Sequence, residues 1–238
     1  MVQKTDNGMV ETTDNKGRTH IKFDNGMSIV IESDECVESP NNMHDGTTVV
    51  GWHRQFSPDL PKHLRHVNGE WAQEQDEDPD SDYKVFWLEA YIHGGVSLSL
   101  NSQGNFPDRR WDVSSNVGVI LVRKADFSDY TDEQFLKVAK SIIKEWNQYL
   151  EGDVWGYVVK SPFDEIVDSC GGYYGMEDVK EQAISAANAL YETHKEEWDQ
   201  QQEDEYTIST ANTAIIMERL EKFAEVAEWM AAYRRLHA

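Results

Sequence analysis

YLEGDVWGYVV (residues 149–159) and DSCGGYYG (residues 168–175) are two short stretches rich in aromatic residues and glycine. A Ser-Pro-Phe-Asp sequence (161–164) lies between them and consists mostly of residues that favour turns. Together they predict two neighbouring strands. Small and bulky residues alternate in the first stretch, which indicates a strand with one small and one bulky face. We expect Trp155 and Tyr157 to be buried, so that the pair serves first as scaffold.

Other patterns predict that this strand pair belongs to a larger sheet. The Asn25-Gly26 pair in THIKFDNGMSIVIES (residues 19–33) is the strongest two-residue signal for a β-hairpin. VGVILVRK (residues 117–124) is a continuous apolar run, as is typical of a central strand buried on both faces. Strands followed by helices in this order favour an α+β fold, with a mixed or antiparallel sheet, packed helices and an additional C-terminal helix.

A helix is predicted over residues 132–150. Thr131 and Gln134 have the capping-box spacing at its start, and Gly152 follows its end. Its apolar residues recur at intervals of three and four, so one side of the helix is expected to be buried. We expect this helix to pack on Trp155 and Tyr157 of the strand pair.

Composition along the chain predicts three segments. Residues 1–18 are expected to be a flexible leader, residues 19–200 an α+β domain, and residues 201–238 a linker and a C-terminal helix. A helix at 176–198 closes the domain in this interpretation, and the last helix begins near residue 213.

Charge is the most unusual property of the sequence. It has 44 Asp and Glu against 22 Lys and Arg, a formal net charge of −22. Such a chain repels nucleic acid and anionic lipid and favours basic partners, so we expect no direct binding of nucleic acid. Two interpretations stay open: the charge serves only solubility or salt adaptation, or it imitates a polyanion. Residues 74–82, an expected exposed loop, carry the densest acids, listed here as the candidate interaction surface: Glu74, Asp76, Glu77, Asp78, Asp80 and Asp82.

Signatures of common enzyme classes are missing from the sequence, which has no phosphate-binding loop, paired CxxC, HExxH or GxSxG motif. We therefore predict no catalytic residue, metal site or cofactor. A candidate pocket is formed by Asp153, Asp168, Cys170 and His53. Cys170 has two interpretations: a nucleophile with His53 or His93 as its base, or a buried structural cysteine beside a bulge at Gly171-Gly172.

Cysteine content and the polar N-terminal sequence bear on the compartment. Two cysteines, Cys36 and Cys170, make no disulfide framework. No apolar run has the length of a membrane helix or a signal peptide. We expect a cytoplasmic protein that does not bind membranes.

The C-terminal helix has an apolar side. Its candidate dimer residues, spaced by four, three, four and three, are Ile216, Leu220, Phe223, Ala227 and Met230. This spacing is that of a short coiled coil, so the helix is expected either to pack on its own domain or to form a homodimer.

Three motifs, RRWDVSSNVGVILVRK, YLEGDVWGYVV and DSCGGYYG, resemble those of an uncharacterised protein family common in phages and mobile elements. That family is similar in its WDxS stretch before a VG-containing strand, its YLxGDVxGY-like strand and its DSCxGFYG-like strand. The resemblance covers roughly residues 29–190. It implies a phage or mobile-element origin, and therefore the host cytoplasm, but supplies no catalytic residues.

The leading hypothesis is an acidic, phage-type interaction protein. It would block a basic, nucleic-acid-binding site on a host protein, such as a component of a defence system, by imitating DNA. One alternative is a small enzyme or small-molecule-binding protein with a pocket near Asp168, Cys170 and His53. Another is a structural or assembly factor that dimerises through its C-terminal helix.

Overall fold

The computed structural model of the protein describes residues 2–4, 8–107 and 109–236, with side chains for residues 8–107 and 110–223. The chain divides into two compact units, Met1–Ser185 and Ala186–Ala238. The strands, all in the first unit, are β1 (Val2–Lys4), β2 (Met9–Thr13), β3 (Thr19–Phe23), β4 (Ser28–Ser33), β5 (Thr47–Gly51), β6 (Tyr83–Ile92), β7 (Val96–Leu100), β8 (Val113–Arg123), β9 (Val154–Lys160) and β10 (Ile166–Tyr174). The helices are α1 (Gly69–Glu77), α2 (Arg109–Asp112), α3 (Asp132–Glu151) and α4 (Met176–Leu236).

The strands form two antiparallel sheets. The first has the order β1-β2-β3-β4-β9-β10 and the second has the order β5-β8-β6-β7. Every pairing within them is antiparallel. With the long C-terminal helix, this confirms the predicted α+β fold.

The six-stranded sheet joins the two hairpins that the sequence predicts. The Asn25-Gly26 turn links β3 to β4, with Gly26 at a φ of 87° in the left-handed region that glycine favours. β4 then pairs with β9, which places Ile29 opposite Val159 and Ile31 opposite Tyr157. These isoleucines are fully buried, so this pairing builds the apolar face of the sheet.

The four-stranded sheet is buried on both faces. Every residue from Val117 to Val122 in its central strand β8 is buried, as the apolar run predicts. One face packs in a cluster with α3, and the other packs in a cluster with Ala72 of α1. A continuous apolar strand is needed here because no side of it meets water.

The predicted packing of the helix over 132–150 is wrong. The capping box of Thr131 and Gln134 and the left-handed residue Gly152 are present at the ends of α3, as expected. The buried side of α3, however, packs in the core of the four-stranded sheet, where Trp146 is buried. Tyr157 is buried, as predicted, but Trp155 is only half-buried, and its indole N–H donates to the Asp153 carboxylate at 2.6 Å.

Both edges of the four-stranded sheet are closed by asparagine side chains. On β5, the Asn41 amide donates to the Val49 carbonyl at 2.8 Å and accepts from the Val49 N–H at 2.8 Å. On β7, Asn147 of α3 does the same to Leu98, at 3.0 and 2.6 Å. Each amide therefore replaces a missing neighbouring strand, which protects an edge that could otherwise pair with another chain.

Replacing Asn147 with alanine should lower the free energy of unfolding by about 1–3 kcal/mol, because both polar groups of Leu98 lose their partner. Urea unfolding measures this loss, and light scattering should show slow association through the freed β7 edge. Asn188→Ala is the matched control, since Asn188 is exposed on α4. Equal stability of the two variants would show that the edge contact contributes nothing.

The predicted linker over residues 201–212 is helical instead. α4 runs from Met176 to Leu236, and this part of the sequence contains neither glycine nor proline to end a helix. The polar residues are accommodated because the hydroxyls of Thr207, Thr210 and Thr213 donate to carbonyls four residues earlier. These bonds satisfy the threonine hydroxyls within the helix.

The predicted flexible leader over residues 1–18 also contains regular structure. β2 pairs with β3 in full register, from Met9 opposite Phe23 to Thr13 opposite Thr19, and β1 pairs with β2. Asp14 then accepts hydrogen bonds from Lys16 and Arg18, which fixes the turn between β2 and β3. The strand pairing and the division into two units do not show whether a segment folds on its own. The domains 19–200 and 201–238 therefore remain predictions.

Candidate functional site

The acidic segment (residues 74–82) is partly helical, which corrects its description as a loop. α1 covers Glu74 to Glu77, and residues 78–82 form the turn that leads into β6. The helix begins at Asn68, whose side chain accepts from the Trp71 N–H at 2.9 Å, and it is anchored by the fully buried Ala72. The segment is therefore held on the four-stranded sheet by a packed helix.

All six acidic side chains of this segment are exposed. Three of their carboxylates accept from neutral donors: Asp76 from the Trp87 indole at 3.0 Å, Glu77 from the Gln73 amide and Asp78 from the Asp80 N–H. Among the described residues, none of the six forms an ion pair. Lys124 approaches the segment, but its ammonium donates to the Pro79 carbonyl at 3.3 Å.

A shallow groove lies beside the two strands β9 and β10. Its volume is about 660 Å³, and it is lined by acidic residues at and just after the end of β4 and by small residues of the two strands: Glu32, Asp34, Glu35, Gly156, Ser169, Cys170 and Gly171 among others. The carboxylate of Asp34 accepts from the N–H groups of Cys36 and Gly172, each at 2.8 Å. It thereby holds a bulge of β10 between Cys170 and Tyr173, as the two glycines indicate.

Cys170 is exposed, so the interpretation as a buried structural cysteine is wrong. Its side chain lies at an outer strand of the sheet, next to the phenol of Tyr173. The hydrogen bond to Cys170, together with burial, raises the pKa of Tyr173 above its usual value. Burial and a 3.1 Å hydrogen bond to Asp168 raise the pKa of Tyr157. Both phenols are therefore neutral at pH 7, and that of Tyr157 donates to Asp168.

The four candidate pocket residues are not grouped in one place. Cys170 lines the groove and Asp168 is linked to it through Tyr157. Asp153 accepts from the Trp155 indole, and His53 accepts from the Gln55 N–H in the segment that follows β5. No described contact joins His53 to Cys170, so a Cys-His pair is not assembled here.

Glu89 is a buried acid that the sequence interpretation missed. It is 0 % exposed, on β6 between the buried residues Leu88 and Ala90. Its carboxylate accepts from the backbone N–H of Ser102 at 3.0 Å and of Gly104 at 2.8 Å. It therefore fixes the loop that follows β7. A single acid inside the apolar run VFWLEAYI was the available signal, because such a group is rarely buried without partners.

The candidate dimer residues of α4 are exposed as far as the structure describes them. Ile216, Leu220 and Phe223 lie on the surface of the second unit. The side chains of Ala227 and Met230 lie outside the described residues. No helix within the described ranges combines the length and hydrophobicity needed to cross a membrane.

No protein-family model, no curated protein sequence and no solved protein structure matches the chain. A function is therefore inferred from the surfaces of the chain itself. Three features of the described residues offer contact with a partner: the acidic segment, the groove beside Cys170 and the apolar side of α4.

Proposed function

We propose that this protein is a non-enzymatic inhibitor that occupies a basic, nucleic-acid-binding site on another protein. The observation that carries the proposal is the acidic segment, with six exposed carboxylates that form no ion pair in the described part of the chain. Complementary charge steers two proteins together and selects the partner. A basic partner surface therefore fits this segment.

The charge spacing supports imitation of nucleic acid. Four helical residues at about 1.5 Å and five others at up to about 3.3 Å give the segment a length of at most about 22 Å. Six carboxylates over this length are at most about 4 Å apart on average. One strand of duplex DNA has a phosphate about every 3.4 Å, so the acidic segment has nearly the same charge density as one strand.

The fixed backbone of the segment also supports this function. α1 is capped by Asn68 and anchored by buried Ala72, and the turn after it is held by the Ser81 hydroxyl, which donates to Gln75 at 2.8 Å. Binding then orders little additional backbone, and such preorganisation strengthens binding. An unstructured acidic tail would lose more entropy on binding.

The nature of the partner follows from the resemblance to phage proteins. This resemblance supports a partner that belongs to the host, and the acidic segment supports a basic one. We propose a basic host protein, such as a nuclease of a defence system, in the host cytoplasm. The separation of His53 from Cys170 supports a binding protein over a cysteine enzyme.

Neutralising the acidic segment should weaken capture of a basic host protein at least about tenfold, since favourable charge pairs across the interface are lost. The variant combines Glu74→Gln, Asp76→Asn, Glu77→Gln, Asp78→Asn, Asp80→Asn and Asp82→Asn. Its stability should change by less than about 0.5 kcal/mol, because the six acids are exposed. Immobilised wild type and variant are compared in host lysate at low and high salt, with duplex DNA as competitor.

The control for this experiment removes the same charge elsewhere. Six exposed acids of α4 are neutralised in the same way: Glu192, Glu196, Glu197, Glu203, Asp204 and Glu205. Both variants change the net charge from −22 to −16 (−22 plus 6). The proposal requires that the α4 variant still captures the partner. Equal loss in both variants would mean that total charge alone matters, and failure of DNA to compete would exclude imitation of nucleic acid.

A further inference from the structure

The second half of α4, as far as its side chains are described, carries apolar side chains that are exposed to solvent. Every residue from 199 to 223 is exposed. These include the large apolar residues Ile216 (57 %), Leu220 (58 %) and Phe223 (74 %). Clusters of this kind on a surface mark contact sites. Helices in proteins gain most of their stability from packing of an apolar side, so the exposed apolar side of α4 favours contact with a partner.

The spacing of these residues is that of a coiled-coil contact line. We define Ile216, Leu220 and Phe223, separated by four and three residues, as the apolar seam. In a heptad they occupy the two core positions, with Leu220 as a and the other two as d. Glu218, Glu221 and Lys222 then occupy the outward positions f, b and c, and Lys222 forms an ion pair with Glu218 along the helix at 2.6 Å. Charge is therefore absent from the seam itself.

Charge balance favours a second copy of the chain as the partner. Residues 206–238 contain four acids (Glu218, Glu221, Glu225 and Glu228) and four bases (Arg219, Lys222, Arg234 and Arg235), so their net charge is zero. The whole net charge of −22 lies in residues 1–205. Two copies repel each other along most of the chain, but not along this segment. A basic partner would gain no charge attraction here, whereas an identical helix matches both the seam and the neutral charge.

We propose that the apolar seam of α4 pairs with the same seam of a second copy, which makes the protein a homodimer joined by a two-stranded coiled coil. This inference does not depend on the proposed inhibitory function. It has a consequence for that function, because a dimer carries two acidic segments. Two linked sites bind a partner with two basic surfaces more tightly than one site does.

The test is the mass of the full-length chain in solution. Sedimentation equilibrium should give twice 27.4 kDa for the wild type. Leu220→Glu with Phe223→Glu should weaken dimerisation roughly 100-fold or more, because it places charges in the core positions. Ile208→Glu with Ile215→Glu is the matched control: both residues are exposed on α4 at c positions, outside the seam, so this variant should remain dimeric.

Dilution of the wild type provides a readout that does not depend on how a variant folds. Since a dimer dissociates as concentration falls, its mass should decrease and its helical circular dichroism should weaken together. A wild type that is monomeric at about 100 µM, a mass of three or more copies, or a seam variant that dimerises like the control would each overturn the proposal.

Discussion

Replacing Trp146 with alanine should lower the free energy of unfolding by about 3–5 kcal/mol, the usual cost of truncating a large buried aromatic side chain. Trp146 of α3 is 2 % exposed, in the core cluster of the four-stranded sheet. Its ring meets Phe56 edge-on with centroids 5.7 Å apart, and Tyr149 at 5.5 Å. Edge-to-face pairs of this kind stabilise the protein beyond the area they bury. The variant therefore loses both buried area and two specific contacts.

Urea unfolding followed by circular dichroism measures this loss. Trp111→Ala is the matched control, because Trp111 is 76 % exposed and its ring lies beneath the Arg110 guanidinium at the surface. Its removal should change stability by less than about 0.5 kcal/mol. If both variants lose the same stability, the core position of Trp146 is wrong, and so is the packing of α3 on the four-stranded sheet.

Features encoded by neighbouring residues were predictable from the sequence. The capping box at Thr131 needs only the spacing to Gln134, and the end of α3 needs only Gly152. The hairpin at Asn25-Gly26 follows from the backbone angles that this pair adopts. Burial of Val117 to Val122 on both faces follows from an uninterrupted apolar run. In each case, the residues that determine the feature lie within about one helical turn or one strand of each other in the sequence.

Features that join distant segments were not predictable in the same way. β4 pairs with β9, although more than a hundred residues separate Ile31 from Tyr157. This pairing places β9 in the six-stranded sheet, away from the sheet on which α3 packs. Sequence proximity suggested that Trp155 meets α3, but the side chain that fills that core is Trp146. The contacts of the asparagines that close the sheet edges were not predictable for the same reason, since Asn147 and Leu98 are 49 residues apart.

The candidate site also combines features that were predictable from neighbouring residues with features that were not. Exposure of the six acids in the acidic segment was predictable, because like charges repel and remain solvated. The helical start of the segment was not predicted. The helix is capped by Asn68 and anchored by Ala72, and both residues precede the acidic segment in the sequence. The grouping of Cys170 with Tyr173 depends on a bulge held by Asp34, over a hundred residues earlier in the chain.

Replacing Glu89 with leucine should lower the free energy of unfolding by about 2–6 kcal/mol, although leucine is similar in size and more apolar. Two backbone N–H groups, those of Ser102 and Gly104, donate to the buried carboxylate. Leucine accepts no hydrogen bond, so both donors are left unsatisfied, at about 1–3 kcal/mol each. Ser102 has a φ of 62°, a strained left-handed conformation for a serine. Its hydrogen bond to Glu89 helps to maintain this conformation.

Comparison of three variants separates the stability lost with the hydrogen bonds to Glu89 from the effect of removing its charge. Glu89→Gln keeps the size and one acceptor oxygen, so it should lose less stability than Glu89→Leu. Glu192→Leu makes the same change at an exposed position of α4 and should stay within about 0.5 kcal/mol of the wild type. Amide hydrogen exchange adds a local readout, because only the Glu89 variants should lose protection at Ser102 and Gly104.

Gly104, in the loop that donates to Glu89, offers an independent test of this contact. A side chain at Gly104 would lie 2.6 Å from a carboxylate oxygen of Glu89 and would also overlap the ring of Phe106. Gly104→Ala should therefore displace the loop and cost about 1–3 kcal/mol, as overpacking of a core usually does. In the background of Glu89→Leu this cost should shrink, because the two substitutions damage the same contact and their effects are not additive. Simple addition of the two losses would show that Glu89 does not hold this loop.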